Sequence, residues 1–206
     1  MHGSIRAVLA IAMVALLAPP TVAQPRNLDP DWPCQQIKTP TFSLAAVWAG
    51  PQLDLNSQSW RNEPDVADLK AKMAQRRVPI ADVEKAIADF KAKAGPDGGA
   101  KLLRAFAAAF EDLSAQRSEV IDGLDRLGRR QNALADRIRA ENEAVENASD
   151  QKNDSSAPPG AGSQDKLLWD IRIYDDRRQT ASYVCEVPTL IEQRIGKIAR
   201  AVQSTL

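Results

Sequence analysis

The sequence predicts an all-α protein built on a long antiparallel, coiled-coil-like helical hairpin. Two shorter helices and an irregular strap precede the hairpin. Apolar residues recur at alternating steps of three and four from Leu103 to Val145, and again from Leu167 to Leu206. Such a sustained heptad pattern is typical of long helices that pack along one seam. Between the two patterns, the polar segment 147–164 has the composition of a flexible linker, so it is the expected turn of the hairpin.

The N-terminal segment 1–23 is interpreted as a cleavable signal peptide. Arg6 precedes an apolar run that Pro19 and Pro20 end, and we expect cleavage after Ala23. The run is too short to cross about 30 Å of hydrocarbon comfortably, so a membrane anchor is the weaker interpretation. We expect no membrane-spanning segment after it, and a periplasmic or secreted location.

Segment 24–62 is predicted to be an irregular strap that lies over the helices. It contains five prolines, which oppose a regular helix, and three of the four tryptophans, Trp32, Trp48 and Trp60. A buried tryptophan contributes a large apolar area. Two uses of these side chains are open: packing against the helical body, or forming a surface for a partner or ligand.

Segment 63–146 is predicted to be helical and to begin with two short helices. The first covers about 63–77, with Asn62 as its cap and Pro64 in its first turn. The second covers about 79–94. The sequence Gly-Pro-Asp-Gly-Gly at 95–99 then predicts a break before the long helix.

The two heptad patterns suggest a register for the hairpin. If the linker reverses the chain, Glu141 lies opposite Ile171, and Arg117 and Glu192 fall in adjacent layers, where they could form an ion pair. Segment 165–206 would then pack back on 103–145. Because proline disrupts a helix, Pro188 predicts two C-terminal helices, near 165–186 and 188–204.

Two cysteines, Cys34 and Cys185, remain after the signal peptide. Two cysteines in an oxidising compartment usually pair, so we expect a disulfide between them. The register pairs Cys185 with Leu127 and Pro188 with Leu124, near the small residues Gly123 and Gly128. We therefore expect the strap to cross the hairpin at that level.

Composition argues against several classes of function. Lys and Arg together number 27, as do Asp and Glu, so charge gives no argument for binding nucleic acid or anionic lipid. The single histidine, His2, lies in the expected signal peptide, which leaves no histidine for catalysis or metal binding. We expect no enzymatic activity, no catalytic or metal site and no cofactor.

Four short stretches resemble an uncharacterised family of exported proteobacterial helical proteins with two cysteines. They are Asp31-Trp32-Pro33-Cys34, Ala46-Val47-Trp48-Ala49-Gly50-Pro51, Arg129-Arg130-Gln131 and Tyr183-Val184-Cys185-Glu186-Val187-Pro188. The resemblance covers most of the chain after the signal peptide. It implies a compartment and a two-cysteine layout, and it carries no activity and no functional residues to this chain.

Three functions are consistent with these patterns. The favoured one is an envelope scaffold or binding protein whose partner is another envelope protein or a second copy of the chain in a homodimer. The second is a periplasmic chaperone or stress protein, which would need an exposed apolar face. The third is a ligand carrier or an enzyme without histidine, which would need a deep pocket under the tryptophan strap.

Overall fold

Two short and two long helices make up the described structure. The computed structural model describes residues 29–150 and 161–206, so the expected signal peptide lies outside it. The described ranges contain helices and no strand, which confirms the predicted all-α class, two short helices and long hairpin. The helices are α1 (Pro64–Ala74), α2 (Ile80–Lys93), α3 (Gly98–Asp150) and α4 (Ala161–Thr205), and short 3-10 segments lie at Leu44–Ala46, Ser59–Asn62 and Gly95–Asp97.

The start of α1 differs from the prediction. Asn62 belongs to a 3-10 segment, and Glu63 is the N-cap without a side-chain capping bond. A residue that precedes a proline is restricted to extended backbone, so Glu63, which precedes Pro64, lies just outside the helix. The Glu63 carboxylate instead accepts two hydrogen bonds from Arg104, both at 2.8 Å.

The end of α1 is set by a residue from the other end of the chain. The helix stops at Ala74, before the predicted end at Arg77. Arg194 of α4 donates to the carbonyl oxygen of Met73 at 3.0 Å and to that of Val78 at 2.8 Å. Carbonyls at a helix C-terminus lack partners within the helix, so this guanidinium stabilises the α1–α2 turn and ties it to α4.

The break before α3 is shorter than predicted. Gly95 has a φ of 64°, in the left-handed region that favours glycine, and a 3-10 turn follows it. The helix then begins at Gly98, because the two last glycines of segment 95–99 adopt helical backbone.

The main core lies where α1 and α2 cover the beginning of α3 and the end of α4. α2 runs in the same direction as α4, because Val78 contacts Arg194 and Lys91 contacts the terminal residue Leu206. The four helices therefore form a bundle at this end of the hairpin, called the body below. Its largest fully buried apolar side chains are Phe106, Met73, Ile87, Leu102, Leu113, Ile191, Ile195 and Ile198.

The hairpin is antiparallel, and near its middle the predicted register is observed. Nε of Arg117 donates to Oε1 of Glu192 at 2.6 Å. Cys185 belongs to the same apolar cluster as Leu124 and Leu127. The heptad patterns therefore identified the correct facing residues over this part of α3 and α4.

Nearer the turn of the hairpin, ion pairs link the two helices. Glu141, which the register places opposite Ile171, forms an ion pair with Lys166 of α4. The neighbouring Asp170 is buried and accepts two hydrogen bonds from Arg137, at 2.8 and 2.7 Å. The Glu141–Lys166 pair joins neighbouring layers of the hairpin, and the pairing of Glu141 with Ile171 stays a prediction.

α4 is continuous across Pro188, so the prediction of two C-terminal helices is wrong. A proline inside a helix costs about 3 kcal/mol and removes one backbone hydrogen bond. Packing holds the helix on both sides of it: Cys185 is tied to the strap, and Ile191 is in the core. The strap also contacts the helix backbone in this turn, since Nε2 of Gln36 donates to the carbonyl oxygen of Cys185, next to the Val184 carbonyl that Pro188 leaves without a donor.

The predicted linker 147–164 is helical at both ends. α3 continues to Asp150 and α4 begins at Ala161, and residues 151–160 lie outside the described range. Once a helix exists, adding a residue to its end costs little, so loss of the apolar pattern does not end it. Oγ of Ser149 also bonds to the carbonyl oxygen of Val145 at 2.7 Å. In the described residues no helix is both long and apolar enough to span a membrane.

Candidate interaction surface

The strap crosses the hairpin at the predicted level and is bonded there. Cys34 and Cys185 form a disulfide, with their Cα atoms 5.6 Å apart. Trp32 packs with them and with Leu124 in a second, smaller apolar cluster. Gly128 lies directly below the strap, because a Cβ atom at this position would overlap the carbonyl oxygen of Asp31. Only glycine permits this close approach of strap and helix.

All three strap tryptophans contact the protein's own helical body or its charged side chains. Trp32 is buried, and the ring of Trp48 lies 4.7 Å from that of Phe106, centroid to centroid. The ammonium nitrogen of Lys70 lies 4.5 Å above the Trp60 ring. Packing is therefore the use that the structure gives these residues, and a partner surface on the strap stays a prediction.

The predicted Arg117–Glu192 ion pair is also an anchor for the strap. The Arg117 side chain is 1% exposed. Besides Glu192, its guanidinium donates to the carbonyl oxygens of Thr39 at 2.6 Å and Pro40 at 3.2 Å. A buried charge with this many partners is well compensated, so the guanidinium joins α3, α4 and the strap at one point.

A second ionic contact fixes the strap. Nζ of Lys38 lies 2.8 Å from the Asp125 carboxylate on α3 and 2.7 Å from that of Asp29 in the strap. Asp125 and Asp29 together raise the pKa of the Lys38 ammonium above its usual value. Lys38 in turn lowers the pKa of Asp29. The disulfide, Arg117 and Lys38 make the strap a fixed part of the fold.

Besides the pattern that faces α3, α4 carries a second heptad pattern between Trp169 and Leu190. We call this pattern the distal seam. Its prominent members are highly exposed: 61% for Trp169, 67% for Tyr183 and 56% for Leu190. The seam comprises Trp169, Ile173, Asp176, Thr180, Tyr183, Val187 and Leu190, separated by alternating steps of four and three.

The distal seam follows the line along α4 that α2 covers in the body. The next seven-residue step after Val187 is Arg194, which contacts the α1–α2 turn through Met73 and Val78. From that level to the C-terminus, α2 lies beside α4 and buries Val83 and Ile87. In the distal part of the hairpin no described element takes the place of α2 beside the seam.

This surface was not predicted from the sequence. The apolar residues of α4 were assigned to one pattern beginning at Leu167, which faces α3. A second pattern, offset by two residues and beginning at Trp169, was present in the same segment. Helices with two apolar faces are typical of bundles in which each helix has two neighbours, so the offset pattern was the available signal.

An ion cluster holds the two helices together beyond the seam. Burial raises the pKa of Asp170, but the hydrogen bonds from Arg137 and the nearby charge of Lys166 outweigh it. The net result is a pKa below the usual value, so Asp170 is ionised at neutral pH. The cluster explains how a two-helix segment with few buried apolar side chains keeps a fixed register.

The cavities give little support for chemistry. One is a groove of about 900 Å³ between the strap and α4, lined by Gln35, Asp175, Arg178, Glu186 and others. It is open to solvent and its lining is polar and apolar in about equal parts, whereas ligand pockets are mostly enclosed and apolar. Within the described residues no group of three His, Cys, Asp or Glu side chains is placed to hold a metal ion.

The interaction surface supported by the geometry is therefore the distal seam, which has five apolar members among seven and follows the line of α4 that α2 covers in the body. Comparison of the chain with protein-family models, curated proteins and solved structures finds no match.

Proposed function

We propose that this chain is an exported helical scaffold or binding protein that acts through protein–protein contacts in the cell envelope. The observation that carries the proposal is the distal seam, where Trp169, Tyr183 and Leu190 are exposed at regular helical spacing. Large apolar side chains grouped on one face of an otherwise well-packed protein mark interaction sites. Aromatic residues are also the residue types that dominate binding energy at interfaces.

The disulfide supports the location. Disulfides persist in oxidising compartments such as the periplasm or the extracellular space. The Cys34–Cys185 bond joins residues separated by 151 positions and ties the strap to the middle of α4. A bond that closes so long a loop strongly constrains the unfolded state.

Photocrosslinking in intact cells tests the proposal. A photoreactive residue at Tyr183 reports on the distal seam, and one at Lys85, an exposed residue of α2, serves as the control. We expect a defined protein adduct from position 183 and none from position 85. Absence of any protein adduct from position 183 would contradict the proposal. The mass of the mature N-terminus tests export separately, with cleavage after Ala23 expected.

The same surface favours a chaperone as the second candidate, because exposed apolar residues also bind unfolded chains. The two functions differ in the adducts expected. A scaffold gives one or a few specific adducts at position 183, whereas a chaperone gives many and suppresses aggregation of an unfolded client in vitro. A Tyr183→Ala variant that still suppresses aggregation would show that any chaperone activity does not use the distal seam.

A further inference from the structure

The spacing of the distal seam specifies the kind of element that covers it. Its members follow steps of four and three from Trp169 to Leu190, which is the spacing of a helix–helix contact. A strand or extended peptide would contact residues at a period of two. The covering element is therefore a helix of about 30 Å, as the rise of 1.5 Å per residue gives.

The seam of a second copy of α4 is complementary to this one when the two helices run antiparallel. In one register, Trp169 meets Val187 of the copy, and Ile173 meets Tyr183. Two-fold symmetry repeats each of these apolar layers. The polar members also meet each other, since the layer at the centre pairs the Asp176 carboxylate with the Thr180 hydroxyl, which can donate to it.

The charges beside the seam agree with the same register. In antiparallel coiled coils, the residues that flank one side of the seam face their equivalents on the partner. Here that side carries Arg172, Gln179 and Glu186, so Arg172 faces Glu186 of the copy, and the reverse. Neither side chain forms an ion pair with the rest of the described chain, and both are exposed. Gln179 meets its own equivalent, where two amides can bond.

The residues that flank the other side of the seam are also compatible with this antiparallel register. Arg177 meets Arg177 of the copy there, which by itself is repulsive. The two Asp176 carboxylates lie one residue away on the two helices, so the group as a whole has no net charge.

We infer that the distal seam is the interface of a homodimer, in which two hairpins pack antiparallel through α4 as a four-helix bundle. This inference rests on the proposed function and names the partner at its surface. The dimer places the two bodies at opposite ends, facing away from each other. A scaffold of this shape presents the same body surface twice, and two linked binding surfaces raise the overall affinity for a clustered partner.

A charge swap in the purified, disulfide-bonded protein tests the interface. We expect the wild type to sediment as a concentration-dependent dimer. Arg172→Glu and Glu186→Arg should each raise the dissociation constant of the dimer by about tenfold or more. The reason is that each converts two attractive contacts into two like-charge contacts. The double variant, in which the charges are exchanged, should restore the affinity. Both side chains are exposed, so neither change is expected to affect folding.

Two alanine substitutions at exposed apolar residues distinguish the effect of the seam from that of general surface hydrophobicity. Tyr183→Ala should weaken the dimer by about tenfold or more. Leu168→Ala, at a residue that is 65% exposed but outside the seam, should leave the dissociation constant unchanged. Circular dichroism checks that each variant keeps the helical content of the wild type.

Three results would overturn the inference: a monomer at the highest soluble concentration, a dimer insensitive to both single charge reversals, or a double variant that does not recover. Each of these leaves the proposed function to its own test. If the purified chain is monomeric while position 183 still gives adducts in cells, the seam binds a different protein and only the homodimer is wrong. If position 183 gives no adduct at all, the proposed function fails too.

Discussion

Replacing Gly128 with alanine tests whether the close approach of the strap to α3 is a built feature of the fold. Helix propensity alone predicts a gain, since glycine inside a helix is about 1 kcal/mol less favourable than alanine. The structure predicts the opposite sign. The added methyl carbon would overlap the carbonyl oxygen of Asp31 and lie 2.7 Å from its carbonyl carbon and 3.3 Å from Cδ of Pro33.

The size of the effect on the free energy of unfolding depends on which atoms must move. The Asp31 atoms that the methyl group would meet belong to the backbone, and the disulfide at Cys34 holds the strap three residues later, so the strap cannot rotate freely away. Overpacking of this kind costs about 1–3 kcal/mol. The displacement also strains the hydrogen bonds of Asn132 to Pro30 and Asp31, both 3.0 Å, which are worth about 0.5–1.5 kcal/mol each. After the gain in helix propensity, we expect Gly128→Ala to lower the free energy of unfolding by about 1–3 kcal/mol.

Gly123 provides the matched control within the same helix. A Cβ atom there would meet only the end of the Arg126 side chain, at 3.8 Å. Gly123→Ala should therefore raise the free energy of unfolding by about 0.5–1 kcal/mol. Urea unfolding of the oxidised protein, followed by circular dichroism, measures both variants against the wild type. If both substitutions stabilise the protein equally, the strap does not press on α3 in solution and the crossing is wrong.

Three further predictions concern the bonds that hold the fold. Reducing the Cys34–Cys185 disulfide, which joins residues 151 positions apart, should lower the free energy of unfolding by up to about 5 kcal/mol in the loop-entropy model, and thermal melts with and without reductant measure it. Arg117→Met, which roughly keeps the volume and removes a buried guanidinium, should lower the free energy of unfolding in urea by about 2–4 kcal/mol. A change within error would show that the strap does not depend on this anchor. Arg137 helps hold the pKa of Asp170 below its usual 3.8. The ionised carboxylate therefore stabilises the fold above that pH, and this stabilisation is lost as the pH falls below it. The difference in the free energy of unfolding between the wild type and Asp170→Asn should accordingly shrink below about pH 4.

Features set by residue spacing were predictable. The heptad pattern facing α3 identified the hairpin, and its register placed Arg117 and Glu192 in adjacent layers and paired Cys185 with Leu127. These predictions succeeded because burying an apolar stripe is the dominant favourable term for a long amphipathic helix. The spacing of seam residues also fixes which polar residues share a layer.

Features decided by a competition between energies were not predictable. Pro188 disfavours a helix locally, yet disulfide and core contacts on either side keep α4 continuous. Near the turn of the hairpin, Arg137 and Lys166 pair with Asp170, a contact that apolar spacing does not report. Spacing reports which interactions are available, whereas the observed structure depends on their relative magnitudes.

The distribution of these contacts along the hairpin bears on function. Cys34, Lys38 and Arg117 each join the strap to the hairpin, and an ion cluster joins the two helices near the turn. On another face of α4, Trp169 and Tyr183 are exposed in a regular pattern that no described residue covers. Exposed aromatic residues add a risk of aggregation and nothing to the stability of an isolated hairpin. Their heptad spacing is explained if a helix covers them, and the pairing of Arg172 with Glu186 makes a second copy of α4 the helix that fits.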